Sequence, residues 1–262
     1  MRSTVRRLLA PQQRLALRLL WGRRHRLQDV LAACVPGRLD LLARIYGTDK
    51  RSTAHGYTRR YEEHLRARRR SVRAVLEIGV GGITSSSGYE TTAGGQSLRM
   101  WQRYFPRAQI VGLDIEPKRV QGARIHVEQG SQDDPEVLER IARRYGPFDL
   151  IIDDGSHLGR HVEASFEALF AHLNPGGIYA IEDLMTAYRA DYEGGPPGTP
   201  GTQVDLLKRL VDSVLERHWR DGSRCDAVAS AHIYDEIAFI HRLGPPARAK
   251  RALGRRHRAR TG

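Results

Sequence analysis

The stretch FDLIIDDGSH occupies residues 148–157 and starts as an apolar strand pattern that ends abruptly in two acids, a glycine, a serine and a histidine. A nearly continuous apolar run of this kind is typical of a strand in a parallel sheet that is covered on both faces. A strand that only fills a core does not need polar chemistry at its tip. Residues 148–153 are therefore predicted to form an interior strand, with Asp153, Asp154 and His157 at its carboxyl end.

The segments around this strand alternate between strand and helix patterns. Strands are predicted over 73–80, 109–115, 124–129 and 177–183, and helices over 97–105, 134–145, 161–173 and 203–219. Such alternation predicts right-handed crossovers and a doubly wound sheet. Two late strand patterns, 226–235 and 236–242, are joined by almost no connection and must form an antiparallel hairpin. The predicted fold is α/β, a Rossmann-like sheet of seven strands whose last strand is antiparallel, with helices on both faces.

The positive charge of the chain is concentrated at its two ends. The net charge is +13; residues 1–28 carry eight Arg and residues 242–262 carry seven Arg and one Lys, neither with an acid. The two ends together carry +16, so residues 29–241 are net about −3. Such tails could contact nucleic acid or an anionic membrane surface, but solvated, partly disordered tails are the favoured explanation. The near-neutral middle argues against a specific nucleic-acid partner.

These patterns divide the chain into three parts. Residues 1–45 are predicted to be a basic helical extension, since leucines recur at helical spacing over 5–33. Residues 46–242 form the predicted α/β domain, and residues 243–262 a basic, disordered tail. The amphipathic helix is either a cap on the domain or a contact in a homo-oligomer.

Composition also narrows the class of protein. Two cysteines are too few for a disulfide framework, which favours a reducing, cytoplasmic setting. No apolar run approaches the roughly 20 residues that a membrane-spanning helix needs.

The ends of the first two predicted strands are suited to a nucleoside ligand. LEIGVGG places Glu77, Gly79 and Gly81 at the first end, where glycines let the backbone approach a ligand closely. The second strand ends at Asp114, which could accept hydrogen bonds from both hydroxyls of a ribose. A tight turn and a capping aspartate are the structural alternatives. In GSQDDP (130–135), the polar side chains could contact an adenine edge, or Asp133 could cap the following helix.

Carboxylates gather at the ends of the fourth and fifth predicted strands. Asp153 and Asp154 follow the fourth strand, Glu182 and Asp183 end the fifth, and parallel strands place these tips at one edge. The acids would repel one another unless a cation or protons neutralised them, and hard oxygen ligands suit Mg²⁺ or a similar divalent cation. His157 lies close enough to act as a general base on a hydroxyl group held there. Alternatively, Ser156 or Asp154 caps the next helix and His157 is a surface residue.

The same segments resemble a known family. LEIGVGG, GGQSLRMWQRYFP, IVGLDI, GPFDLIIDDGSH, HLNPGGIYAIEDL and AHIYDEIAFIHR are similar to class I S-adenosylmethionine-dependent methyltransferases, and most similar to the sugar O-methyltransferases of the mycinamicin and tetracenomycin type. GTDK (47–50) and HGYTRRYEEHL (55–65) also match that group. The resemblance covers roughly residues 45–242, although the loop at 81–96 is longer than the usual glycine turn.

The resemblance implies roles for individual residues. It implies Asp154, Glu182 and Asp183 as Mg²⁺ ligands and His157 as the base. For S-adenosylmethionine it implies Asp114 at the ribose, Gly79 and Ser97 near the methionine end, Gln132 near the adenine and Asp153 at the amino group.

The expected activity is therefore methyl transfer to a sugar hydroxyl of a small-molecule glycoside of the macrolide or aromatic polyketide type. A metal-dependent methyltransferase of catechols or other small phenols is the alternative, because a vicinal diol of either class can chelate a metal.

Overall fold

The computed structural model describes residues 25–82, 94–216 and 228–244, in which seven strands form one mixed sheet. The strands are β1 (Ala74–Ile78), β2 (Gln109–Asp114), β3 (Ile125–Gln129), β4 (Phe148–Asp153), β5 (Leu173–Ile181), β6 (Val228–Ile233) and β7 (Ala238–Arg242). Their order is β3-β2-β1-β4-β5-β7-β6, and β7 runs antiparallel to both of its neighbours. This confirms the predicted doubly wound sheet and its closing hairpin.

Helices pack on both faces of the sheet. They are α1 (described over 25–33), α2 (Leu39–Tyr46), α3 (Tyr57–Leu65), α4 (Gln96–Tyr104), α5 (Pro135–Tyr145), α6 (Gly159–Leu169) and α7 (Gln203–Glu216). Short 3₁₀ turns cover Phe170–His172, Leu184–Tyr188 and Ala190–Tyr192. The apolar side chains form two buried clusters, one with α2, α3 and α4 and the other with α5, α6 and α7.

The boundaries differ from the predicted ones where a turn or cap decides them. Helix α5 is capped by Asp134, whose carboxylate accepts from the amides of Glu136 and Val137, so the prediction of Asp133 as the cap is wrong. Strand β5 begins at Leu173, four residues before the predicted start, because Leu173 already pairs with Phe148 ahead of an irregularity in the register.

Some predicted segments lie outside the described residues. These are most of the leucine pattern at 5–33, most of the loop at 81–96, and the Arg-rich ends at 1–24 and 245–262. The basic extension and tail therefore remain predictions. In the described parts of the chain, no helix combines the length and the apolar character that crossing a bilayer requires.

Three histidines cluster where α3 meets β6 and β7. His64 of α3, His232 of β6 and His241 of β7 have ring centroids 4.9–5.1 Å apart, and His64 stacks on Phe239. Burial lowers the pKa of His241 to about 4, and the neighbouring His64, His232 and Arg68 act in the same direction.

We expect the free energy of unfolding to fall as the pH is lowered from about 6.5 to about 4. In this window the unfolded chain binds a proton at His241 that the folded protein excludes, so the stabilisation present above pH 6.5 is lost. Thermal midpoints at pH 7, 5.5 and 4.5 measure the effect. His241→Gln should flatten the slope, whereas His126→Gln, at an exposed site on β3, should keep it. Equal slopes for wild type and His241→Gln would rule out this origin.

Candidate functional site

The parallel pairing of the central strands brings the predicted site residues to one edge of the sheet. Asp153 pairs with Ile78 of β1 on one side and with Ile181 of β5 on the other. The Asp154 amide donates to the Ile78 carbonyl and the Glu182 amide to the Asp153 carbonyl, each at 3.0 Å. The tips of β1, β4 and β5 are thereby held side by side, as the sequence predicts.

Three of the predicted residues form a cluster with the chemistry of a metal site. Asp154, His157 and Asp183 each offer a ligand atom, and these atoms lie within 4.8 Å of one another. The Nε2 atom of His157 is 3.4 Å from Oδ2 of Asp183. All three side chains are partly exposed, so the cluster is open to a ligand from solvent.

Two members of this cluster have unusual backbone conformations. His157 has φ 59° and Asp183 has φ 56°, both in the left-handed region that residues other than glycine seldom adopt. Such strain persists only where the surrounding structure enforces it, and it concentrates at functional sites. The hydroxyl of Thr186 helps to enforce it, donating to the Asp183 carbonyl at 2.7 Å.

The alternative in which Ser156 or Asp154 caps the next helix is not found. Helix α6 begins after Leu158, and no side chain caps it. Ser156 instead contacts His161 through its hydroxyl and accepts from the Leu158 amide at 3.3 Å. The acids and His157 thus have no capping role here.

Glu182 lies beside this cluster but is not one of the three residues whose ligand atoms lie within 4.8 Å of one another. Its carboxylate is buried and accepts from Nζ of Lys50 at 2.6 Å and from the hydroxyl of Tyr61 at 2.5 Å. Each of these oxygens keeps a further lone pair, so both contacts are compatible with metal ligation. The ligand role of Glu182 remains a prediction.

Lys50 is a site residue that the sequence reasoning missed. Its side chain is 1% exposed and its Nζ lies 2.6 Å from Asp154, 2.6 Å from Glu182 and 3.4 Å from Glu77. Burial alone would lower the pKa of Lys50, but the three carboxylates outweigh burial and raise it, so the ammonium group stays charged. The GTDK segment matched the family, but nothing in the sequence pattern placed its lysine beside strand ends more than 100 residues away.

Two tyrosines of α3 complete the wall behind the acids. Tyr61 contacts Glu182 as described, and the Tyr57 hydroxyl donates to Oδ1 of Asp183 at 2.5 Å. Burial and the Asp183 carboxylate both raise the pKa of Tyr57, so this hydroxyl stays a donor. Beside it, Nδ1 of His55 lies 3.3 Å from Oε2 of Glu236.

The backbone conformation and close packing at position 79 require a glycine. It has φ +88°, and a Cβ atom there would lie 1.9 Å from the Asp154 carbonyl oxygen. The backbone of β1 therefore turns tightly against the tip of β4. Gly81 also has a positive φ of 70°, but a Cβ atom there would meet no described atom within 4 Å.

Asp114 and Ser97 lie at this same end of the sheet. The Asp114 carboxylate accepts from the amides of Val80 and Glu116 at 3.0 and 2.9 Å, which ties the end of β2 to the turn after β1. Ser97 lies in the first turn of α4 and is 9% exposed. Contact of either residue with a cofactor stays a prediction.

Asp153 and Gln132 form a buried polar network. Asp153 accepts from Gln132, Ser165 and Tyr179 at 3.1, 2.6 and 3.0 Å. Gln132 in turn accepts from the Ser156 amide at 2.7 Å. Burial raises the pKa of Asp153 despite these donors. The network shapes the turn after β4, and cofactor contacts of both residues stay predictions.

Glu77 lies at the centre of the edge and is fully buried. Burial raises its pKa to about 7, although Lys50 acts in the opposite direction. Its Oε1 atom lies 3.4 Å from Nζ of Lys50. Contact of Glu77 with a cofactor stays a prediction.

Comparison with known proteins gives a consistent result. A family model described as a methyltransferase domain matches residues 30–184. Mycinamicin VI 2''-O-methyltransferase of Micromonospora griseorubida is 44% identical over 226 residues, which are 82% of this chain and 55% of that protein. The 8-demethyl-8-alpha-L-rhamnosyl tetracenomycin-C 2'-O-methyltransferase of Streptomyces olivaceus is 40% identical over 215 residues, 79% of this chain and 55% of that protein. The chain thus spans about half the length of the curated relatives it matches.

A solved structure is similar in the same way. MycE methyltransferase from the mycinamycin biosynthetic pathway, in complex with Mg, SAH and mycinamycin VI, aligns with a TM-score of 0.71 at 44% identity. The alignment covers 79% of this chain and 55% of that one.

Proposed function

Because the chain belongs to the methyltransferase-domain family, we propose that it is an S-adenosylmethionine- and Mg²⁺-dependent O-methyltransferase. Its acceptor is a sugar hydroxyl of a glycosylated natural product of the macrolide or aromatic polyketide type. The observation that carries the proposal is the cluster of Asp154, His157 and Asp183, held in a chain 44% identical to a mycinamicin sugar O-methyltransferase. A cytoplasmic location belongs to the proposal, and the exposed free thiol of Cys34 is compatible with a reducing compartment.

The residues present fit a divalent metal and a sulfonium cofactor. Carboxylate oxygens suit Mg²⁺, and Asp154, Asp183 and Glu182 are the proposed ligands, which leaves the imidazole of His157 free to act as the base. When ionised, these three acids carry three negative charges, and Lys50 carries one positive charge, which leaves an excess of two. A divalent ion would balance that excess.

The cofactor end of the proposed site is the edge formed by β1 and β2. Gly79 and Gly81 let the backbone pass close to the ligand, and Asp114 has the position to hold a ribose. Glu77 and Asp153 supply buried carboxylates for the amino group, Ser97 lies near the methionine end, and Gln132 lies toward the adenine. S-adenosylmethionine supplies a methyl group that is already activated for displacement.

The proton of the acceptor hydroxyl is the remaining chemical problem. A bound Mg²⁺ would hold this hydroxyl and lower its pKa. His157 accepts the proton, and the Asp183 carboxylate 3.4 Å from its Nε2 atom stabilises the imidazolium that results. Because His157 is partly exposed, it can pass the proton on to solvent.

Transfer of a labelled methyl group from S-adenosylmethionine to a panel of acceptors tests the proposed substrate class. The panel contains demethylated macrolide glycosides, rhamnosyl tetracenomycin-type glycosides, catechols and RNA. We expect glycosides to be methylated on a sugar hydroxyl. Methylation of catechols or RNA in preference to all glycosides would contradict the proposal.

A further inference from the structure

Hydrogen bonds in the loop between α2 and α3 fix the backbone of Lys50, independently of the contacts of its side chain. The Thr58 amide donates to the Lys50 carbonyl at 3.0 Å. Asp40 of α2 accepts from the Ser52 amide at 2.6 Å and from the Thr58 hydroxyl at 3.0 Å. These contacts tie the carbonyl of Lys50 to the start of α3, and the loop that follows the lysine to α2.

The side chain of Lys50 connects three strands at the carboxyl edge of the sheet. Its Nζ atom is 2.6 Å from Oδ2 of Asp154 at the tip of β4 and 2.6 Å from Oε2 of Glu182 at the tip of β5. It is also 3.4 Å from Oε1 of Glu77 on β1. One buried ammonium group thus joins the proposed metal side of the site to the proposed cofactor side.

We infer that Lys50 is a positioning residue of the metal site, which orients the Asp154 and Glu182 carboxylates so that they can bind the cation. This inference rests on the proposed function and deepens it. Groups that hydrogen-bond to metal-ligating carboxylates fix the direction of the ligand atoms, and their loss typically lowers metal affinity about 10–100-fold.

Lys50 could also have the opposite effect on metal affinity. A lysine that competed with the cation for the same carboxylates would weaken metal binding, and its removal would strengthen it. The geometry favours positioning, because the ligand atoms of Asp154, His157 and Asp183 already lie within 4.8 Å of one another while Lys50 contacts Asp154. The ammonium group therefore leaves the cluster open to a cation.

Calorimetric titration of the full chain with MnCl₂ tests this inference. We expect Lys50→Met to weaken Mn²⁺ binding by at least about 10-fold, and Lys208→Met, at an exposed site on α7, to keep wild-type affinity. Lys50→Met also leaves three acids, of which Glu77 and Glu182 are buried, without their cation, and this could prevent folding. The double variant Lys50→Met, Glu77→Gln removes one charge of each sign, preserves the net charge of the buried group, and should show the same loss of Mn²⁺ affinity.

The outcomes separate the inference from the function on which it rests. Wild-type or tighter Mn²⁺ binding by the folded variants would overturn the positioning role, whatever the wild-type enzyme methylates. A wild-type chain that binds no Mn²⁺ would instead refute the metal dependence of the proposed function and the role of Lys50 with it. Affinity for S-adenosylhomocysteine, titrated in parallel, should fall much less in Lys50→Met than Mn²⁺ affinity; a general structural defect would lower both alike.

Discussion

Replacing His157 by alanine is expected to lower the turnover number about 10²–10⁴-fold, the usual contribution of a general base. The affinity for S-adenosylhomocysteine should stay within about twofold of wild type, because the substitution removes the group that accepts the proton and leaves the cofactor end of the site unchanged. Turnover on a glycoside acceptor and calorimetric titration with S-adenosylhomocysteine measure the two effects.

The left-handed backbone of His157 calls for a second variant. Alanine at φ 59° is strained, so a loss of activity could come from a shifted turn. Asparagine tolerates this conformation but cannot act as a base near neutral pH. His157→Asn should therefore lose activity to the same extent, and His172→Ala, at a partly exposed histidine paired with Glu139, should not. Full turnover in His157→Asn would exclude His157 as the base.

Replacing Asp183 by asparagine is expected to abolish metal-dependent turnover and to weaken Mn²⁺ binding by more than about 100-fold. The lost group is a proposed ligand, so its effect should exceed the 10–100-fold that outer partners contribute. Asparagine suits the backbone, because it tolerates the φ of 56° at this position and its side-chain oxygen can still accept from Tyr57. The substitution thus isolates the charge of the ligand.

Asp191→Asn is the matched control for this charge. Asp191 is an exposed acid that pairs with Arg189 nearby in sequence, outside the cluster. Asp191→Asn should keep the wild-type Mn²⁺ affinity, measured by titration, and the wild-type turnover number at saturating substrate. If Asp183→Asn retained wild-type metal affinity, Asp183 would not be a ligand.

The residues at the strand ends were predictable from sequence because they directly follow apolar segments that are recognisable as strands. Apolar runs such as residues 148–153 identify strands, and parallel pairing makes their carboxyl ends meet at one edge. In the structure, Asp153 pairs with Ile78 of β1 and with Ile181 of β5, as parallel pairing of the three strands requires. Asp154, His157 and Asp183 accordingly come together as expected.

The second layer of the site was not predictable in this way. Lys50, Tyr57 and Tyr61 come from a segment that lies more than 100 residues before Asp154, Glu182 and Asp183, which they contact. Hydrophobic periodicity carries no information on which side chains meet across such a distance. A lysine in a short polar turn has the sequence pattern of an exposed residue, and only the three surrounding carboxylates explain its burial.

Local geometry accounts for the remaining differences. Asp133 and Asp134 are equivalent as caps in the sequence, and the backbone selects Asp134 because its carboxylate reaches two amides of the first turn of α5. Glu182 follows β5 directly and was grouped with Asp183. In the structure its carboxylate lies 2.6 Å from Nζ of Lys50, and the left-handed backbone of Asp183, with φ 56°, turns the chain directly after it.

The central claim is metal-dependent methyl transfer to a sugar hydroxyl, and one measurement tests it most directly. Methyl transfer from S-adenosylmethionine to a demethylated macrolide glycoside is followed with chain treated with EDTA, and again after Mg²⁺ is restored in excess. We predict no methylated product in EDTA, recovery of turnover with Mg²⁺, and a product that carries the new methyl group on the sugar. Full turnover in EDTA would contradict the account.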